Sequence, residues 1–275
     1  MSFVIPRKRE HWQRKPSGPS EINYGSGAAR DIAACYLMDD SGRVLRDIAL
    51  GSDADLRSSS TVGEGELLIP SASDEPNNGA TVTGSSGVGH ALDFVSDFTF
   101  ISEITATSAY TPDDFRAIFA KRSASGFQYH FRIKDSGVIS LLTTGGSVDA
   151  SFNLPLNKKS VVSVSSDSSG RVFQLDGATE AADFKSISYV NTSVTIGTTQ
   201  LTNSTNLSLG GTIHRIYAYS RKLCKEELLD LEHNPYQILK PRRSYWQMPS
   251  GVTPPQTFKP AWAMASRRSG LIGAR

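Results

Sequence analysis

Apolar and polar positions alternate with a period of two along much of this chain, and that period predicts strands. Phe127, Tyr129, Phe131 and Ile133 share one face of a run whose other face carries Gln128, His130 and Arg132. Lys134-Asp135-Ser136-Gly137 then supplies hairpin-turn chemistry, and residues 138–142 return as the next strand. Residues 160–165, a turn at 167–170 and residues 171–175 repeat the motif, closed by Asp176-Gly177. Further strands are predicted at 66–69, 91–94, 98–104, 117–120, 194–197 and 211–219, and residues 32–50 form an apolar stretch turning at 39–42.

One segment has a helical period instead. From Cys224 to about His233, Leu223, Leu228, Leu229 and Leu231 make an apolar side, with Lys225, Glu226 and Glu227 opposite. Asn234-Pro235 ends it, because a residue before proline is pushed out of the helical region. Short strands joined by Gly, Asp and Ser turns, without βαβ alternation or a fixed repeat, predict an all-β antiparallel two-sheet sandwich over 31–233. Residues 1–30 read as an extended basic arm, and residues 234–275 as a second one rich in Pro, Arg and Trp.

Composition sharpens this picture through charge. The 275 residues carry a formal net charge of +2, yet residues 17–233 hold 17 Lys/Arg against 26 Asp/Glu. Residues 1–16 hold five basic residues and one acid, and residues 234–275 hold seven basic residues and no acid. An acidic body with two basic arms points to arms that touch an acidic partner or a neighbouring subunit. No apolar run approaches the ~18 residues of a transmembrane helix. The first residues have charge without a following apolar stretch, so no secretory signal is expected. Cys35 and Cys224 lack metal-ligand spacing and are expected as free thiols.

Enzymatic chemistry finds little support. A retaining glycosidase on a sandwich needs acids alternating along one strand, and no such run occurs. Glu64 and Glu66 lie in a Gly-rich loop with no third partner, so they read as solvated loop charges. His11, His90, His130, His214 and His233 are scattered singly, which argues against zinc; a lone strand histidine reads as a surface or satisfied one. No cofactor is expected. Calcium would fall to Asp39, Asp40, Asp53, Asp55 and Asp149, although carboxylates in turns more often cap the backbone than bind ions. A glycan groove would draw on Tyr110, Tyr189, Asn191, Asn203 and Asn206.

The order of landmarks resembles the LamG-like branch of the concanavalin A-type jelly rolls over residues 32–233. Gly89-His90-Ala91-Leu92-Asp93-Phe94, Phe98-Thr99-Phe100-Ile101, residues 171–177, Ile196-Gly197, residues 211–217 and residues 220–228 stand in the family's order. The aromatic Trp-His pair usual before the Asp-Gly hairpin is replaced by Ser160-Val161-Val162. Residues 234–246, Asn-Pro-Tyr-Gln-Ile-Leu-Lys-Pro-Arg-Arg-Ser-Tyr-Trp, are similar to a tail found in bacteriophage and prophage proteins, and Phe258 to Ala263 with Ile272 to Arg275 resembles a second phage ending. The resemblance implies a non-enzymatic virion structural protein, a capsid decoration or a neck or tail component, assembled in the host bacterial cytoplasm. A lectin-like carbohydrate-binding module for host-surface attachment is the alternative it leaves open.

Aromatics interleaved with basic residues nominate the partner-binding set: Trp12, Arg14, Tyr236, Arg242, Arg243, Tyr245, Trp246, Phe258, Trp262, Arg267 and Arg268. All three tryptophans fall in the arms. The expected partners are other virion subunits, with further copies of the chain in the assembly, while nucleic acid ranks lower because proline punctuates the basic residues.

Overall fold

A computed structural model describes residues 13–16, 19–39, 42–70, 78–110, 115–123, 126–199 and 208–242. In chain order its first strands are β1 (Ser20–Ile22), β2 (Ile32–Tyr36), β3 (Val44–Leu45), β4 (Ala54–Arg57), β5 (Thr61–Gly63), β6 (Glu66–Ile69) and β7 (Gly79–Val82). Then come β8 (Phe98–Ala106), β9 (Arg116–Ser123), β10 (Gly126–Ile133), β11 (Val138–Thr143), β12 (Gly146–Asn153) and β13 (Lys159–Asp167). The chain continues through β14 (Gly170–Leu175), β15 (Ala178–Ala182), β16 (Val194–Ile196) and β17 (Gly211–Tyr219) to helix α1 (Lys225–His233) and β18 (Leu239–Pro241).

Two antiparallel sheets form the sandwich. One has the order β12-β11-β10-β9-β16-β7-β4-β3, and the other β15-β14-β13-β8-β17-β6-β5 with β2 also paired to β17. Inward residues of both sheets make the main core, where Phe94, Phe98, Phe100, Phe119, Tyr129 and Phe131 pack ring against ring. Open sheet edges invite pairing with other chains. Here Ser151 on β12 donates to Glu180 on β15 at 2.6 Å, and Gly42 bridges to Val62 on the opposite side.

A second, smaller core lies outside the β8–β17 sheet. Ile101, Tyr217 and Tyr219 project outward there and meet Leu223, Leu228 and Leu231 at α1, Ile22 of β1 and Leu239 of β18. Cys224 precedes the helix, and its backbone N–H donates to Glu227 at 2.9 Å. Glu227 in turn takes a bidentate pair of bonds from Arg221 at 2.8 and 2.9 Å.

The turns follow their chemistry. Asp176 and Gly177 take φ of 45° and 84° between β14 and β15, the two-residue turn that suits hairpin twist. Asp167 caps its own turn, accepting from the backbone of Ser169 at 2.8 Å and Gly170 at 3.2 Å.

Three expectations change. Residues 91–94 are a turn at 91–92 and irregular backbone at 93–94 rather than a strand, with local bonds in its place: Asp93 N–H donates to His90 O at 2.9 Å and Leu92 N–H to His90 Nδ1 at 3.1 Å. Leu92 and Phe94 are nonetheless in the core. The folded body is wider than 31–233, since Ser20–Ile22 pairs with Leu239–Pro241 and Ala29 is buried.

The polar face predicted for β10 is the third change. A bulge between Phe127 and Tyr129 turns Gln128 inward, where its amide donates to Phe94 O at 2.7 Å. His130 and Arg132 are buried as well. His130 Nδ1 faces Arg122 at 3.1 Å, while its Nε2 has no partner.

Burial, reinforced by Arg132 and Arg122, pushes the His130 imidazole well below the usual histidine range. The folded protein therefore holds it neutral, while the unfolded chain binds a proton below about pH 6.5. Stability from this group is present above that pH and is lost as pH falls. Protonation of the unfolded chain alone limits the loss on going from pH 7 to pH 5 to at most about 2 kcal/mol. Urea melts at the two pH values check it, and His130→Gln should flatten the difference. An unchanged difference in that variant would show that other groups carry the acid sensitivity.

Candidate functional site

A cleft of about 380 Å³ opens on the outer face of the β8–β17 sheet, a volume in the range of small-ligand pockets. Segments far apart in sequence build it.

One wall is the β5–β6 hairpin. Glu64 and Gly65 have φ of 52° and 81°, a tight turn that holds Glu64 beside the opening. Lys15 locks this wall: its ammonium donates to Gly65 O at 2.9 Å and to Leu37 O, and pairs with Asp39 at 2.7 Å. A Cβ on Gly65 would meet only the movable end of Lys15, so it is the positive φ of 81° that favours glycine here.

The floor comes from three strands. In β17 a bulge between Ile213 and Arg215 inserts His214, and both basic side chains line the same cleft. Glu103 on β8 is shared by Lys159 at 2.8 Å and Arg215 at 3.3 Å. The Arg215 guanidinium stacks on Tyr217 and Tyr236, 5.7 and 5.6 Å from the ring centroids. His214 sits between Glu66, 3.1 Å from Nδ1, and Thr105, 3.0 Å from Nε2. Burial and then Lys159 lower its basicity, against the opposing pull of Glu66, so the ring is neutral at pH 7.

The last wall is the end of α1 and the turn after it. Glu232 accepts from the Gln174 amide, and His233 Nδ1 lies 2.7 Å from Leu229 O. Asn234 and Gln237 both donate to Asp230, at 2.9 and 2.8 Å, and Tyr217 donates to Pro235 O at 3.0 Å. These bonds fix the turn that presents Tyr236 to the cleft. Residues 234–239 thus have a local structural use: Tyr236 covers Arg215, and Ile238 and Leu239 fill the second core.

Several sequence readings change here. Glu64 and Glu66 do gain companions, since Glu103 and Glu232 line the same cleft. His214 and His233 also meet there. No local signal showed this, because the strand pairing of β6, β8 and β17 is what assembles them.

Of the expected partner-binding residues, Tyr236 is half-buried in the cleft wall, and Arg14 and Arg242 are exposed. Trp12, Arg243, Tyr245, Trp246, Phe258, Trp262, Arg267 and Arg268 lie outside the described residues.

The expected glycan residues do not converge. Tyr110 sits over Arg116 and Tyr189 over Lys121, five residues along β9, a separation of about 16 Å at strand spacing. Asn191 is exposed next to Tyr189, and Asn203 and Asn206 are outside the described residues.

The calcium candidates are engaged elsewhere. Asp39 pairs with Lys15, Asp149 with Lys134 at 2.7 Å, Asp53 accepts from the Asp47 backbone, and Asp55 accepts from Thr83. Asp40 is outside the described residues, among which no group of three His, Cys, Asp or Glu side chains is placed to hold a metal.

No protein-family model and no curated protein sequence matches the chain. Solved structures do. Trypanosoma rangeli sialidase in complex with sialic acid superposes with a TM-score of 0.58 at 14% identity, covering 76% of this chain and 33% of the sialidase. The binding domain of botulinum neurotoxin DC, in complex with rat synaptotagmin II, gives 0.59 at 12%, covering 76% and 52%. Domain 4 of AbnA, an extracellular arabinanase of Geobacillus stearothermophilus in complex with arabinotriose, gives 0.54 at 11%, covering 73% and 98%. At such identities the likeness is one of fold, and the chain spans about a third of the sialidase.

Proposed function

We propose that this chain is a non-catalytic recognition module that binds carbohydrate in the cleft between Lys15, Glu66, Lys159 and Tyr236. The observation that carries the reading is the cleft itself, in which fixed acceptors, fixed donors and one aromatic ring converge. Sugar hydroxyls both donate and accept, so a wall of paired carboxylates and cations suits them, and a ring face suits their C–H surface. Glu66 and Glu103 are already engaged by His214, Lys159 and Arg215, which makes them holders of a ligand rather than proton donors. The sandwich domain that binds arabinotriose and the sialidase that binds sialic acid share the fold and support this reading.

A glycan array followed by calorimetry, with and without calcium, tests it. Binding with Kd on the order of 0.1–1 mM is expected for a single shallow module. Lys159→Ala and Tyr236→Ala should each weaken it about tenfold, or ~1.4 kcal/mol. Absence of any glycan binding at millimolar protein, with the fold intact, would overturn the reading.

The sequence of residues 234–275 favours a second reading, that the chain is a bacteriophage or prophage virion component assembled in the bacterial cytoplasm. Seven basic residues without an acid, with Trp246 and Trp262 among them, support attachment to neighbouring subunits. Mass spectrometry of purified particles decides it, and particles lacking the chain would refute it.

A further inference from the structure

Lys121, near the end of β9, is 0% exposed, a rare position for a lysine. Its ammonium is in direct contact with Asp93 Oδ1 and lies 5.0 Å from the centre of the Tyr189 ring. An ammonium has three N–H donors, and among the described residues one carboxylate and one ring face are what meet them. The neighbours in the sheet offer no further acceptor. Tyr129, opposite Lys121 on β10, belongs to the main core and donates its hydroxyl to Leu92 O at 3.0 Å. Val194, opposite it on β16, is buried as well. This pair is separate from the cleft: β9 belongs to the other sheet, and neither Lys121 nor Asp93 lines that opening.

Asp93 is held as firmly as the strand it faces. Its N–H donates to His90 O at 2.9 Å, and its Oδ2 accepts from the His90 N–H at 3.2 Å. On either side of it Leu92 and Phe94 are core residues, and the Gln128 amide donates to Phe94 O at 2.7 Å. The Asp93 side chain itself is 9% exposed. A nitrogen nucleophile and a carboxyl carbon are thus fixed against each other away from bulk water. Such preorganisation replaces the chemical activation that amide formation otherwise requires.

We propose that Lys121 and Asp93 condense to an intramolecular isopeptide bond. One ammonium proton passes to Oδ1 across the contact, which leaves a neutral amine beside a neutral acid. Nζ then attacks the Asp93 carboxyl carbon, and the negative charge that develops on Oδ2 is met by the His90 N–H. A second nitrogen proton joins the Oδ1 hydroxyl, and Oδ1 departs as water while the carbonyl re-forms on Oδ2. The balance is one ammonium and one carboxylate giving one secondary amide and one water, with no oxidant or co-reactant. A neutral amide also removes the cost of keeping an ion pair out of water. The bond ties the connection between β7 and β8, residues 83–97, to a central strand of its sheet, closing a loop between positions 28 apart. Like a disulfide it restricts the unfolded chain, but reductants do not open it. This modification is independent of carbohydrate binding.

Intact-mass spectrometry of the full chain, denatured after purification, tests it. The unsubstituted chain is expected one water lighter than its sequence, and Lys121→Met and Asp93→Ala are each expected at full sequence mass. Digestion should yield a branched peptide joining the segments around Asp93 and Lys121, and trypsin should fail to cut after Lys121. The measurement on the unsubstituted chain does not depend on either variant folding. An unsubstituted chain at full sequence mass would overturn the proposal and leave a buried ion pair. So would a water loss that persists in both variants, or one that maps to Asp176-Gly177, where an aspartate before glycine closes to a cyclic imide.

Discussion

Asp47→Ala is expected to cost about 4 kcal/mol of stability, a large effect for a single carboxylate away from the main core. Asp47 is 6% exposed and accepts four backbone bonds. One oxygen takes the N–H of Cys35 at 2.7 Å and Ala49 at 2.9 Å, and the other those of Leu50 at 3.1 Å and Ser52 at 3.0 Å. The alanine variant strands the buried Cys35 and Ser52 donors, each costing about 1–3 kcal/mol, and loses charge-assisted bonds to the other two. Asp47→Asn should rescue little, because an amide offers one oxygen and turns its own donors toward two of these N–H groups. Urea unfolding of both variants measures this. A loss below ~1 kcal/mol in Asp47→Ala would show that water replaces the carboxylate and that the 47–52 loop does not depend on it.

Phe100→Ala is expected to be of similar size, about 4 kcal/mol, by a different mechanism. Phe100 is 1% exposed on β8, the strand between β13 and β17. Its ring centroid lies 4.8 Å from Phe98, 4.9 Å from Phe119, 5.0 Å from Tyr129 and 5.5 Å from Phe94. These partners come from both sheets and one loop, so they cannot all move into the space left behind, and a cavity remains. The melting temperature should fall by about 8–16 °C, while Phe100→Leu should cost less than half as much. Equal losses in the two variants would mean that ring geometry, rather than volume, holds the two sheets together.

These two residues also show what can be read before the chain folds. Phe100 was legible, since Phe98, Phe100 and Ile104 alternate in a run that is β8 in the structure. Asp47 was not. It stands among ordinary turn residues, and its four donors are gathered by the path of the 47–52 loop and by its bridge to Tyr36. β12 lies between these cases. Val148, Ala150 and Phe152 alternate inward, but Ser and Asp between them mask the pattern and no strand was predicted there. β1 and β18 have three residues each, too few for a period, and exist because they find one another.

The sequence by itself determined the strand-turn-strand grammar, the closing helix and the division of charge between body and flanking segments. Periodicity, turn residues and charge are local properties, carried by neighbours in the chain. Tertiary structure alone decided which polar residues are buried and which charges meet. His130 sits on the predicted solvent face of a well-formed strand, yet packing hides it and leaves its Nε2 without a partner. Glu66, Glu103, Lys159 and His214 become one site only when β6, β8, β13 and β17 lie side by side and a bulge puts His214 next to Arg215. A charge acquires its role from the groups within a few ångströms of it, and those groups are assembled by strand pairing rather than by proximity in sequence.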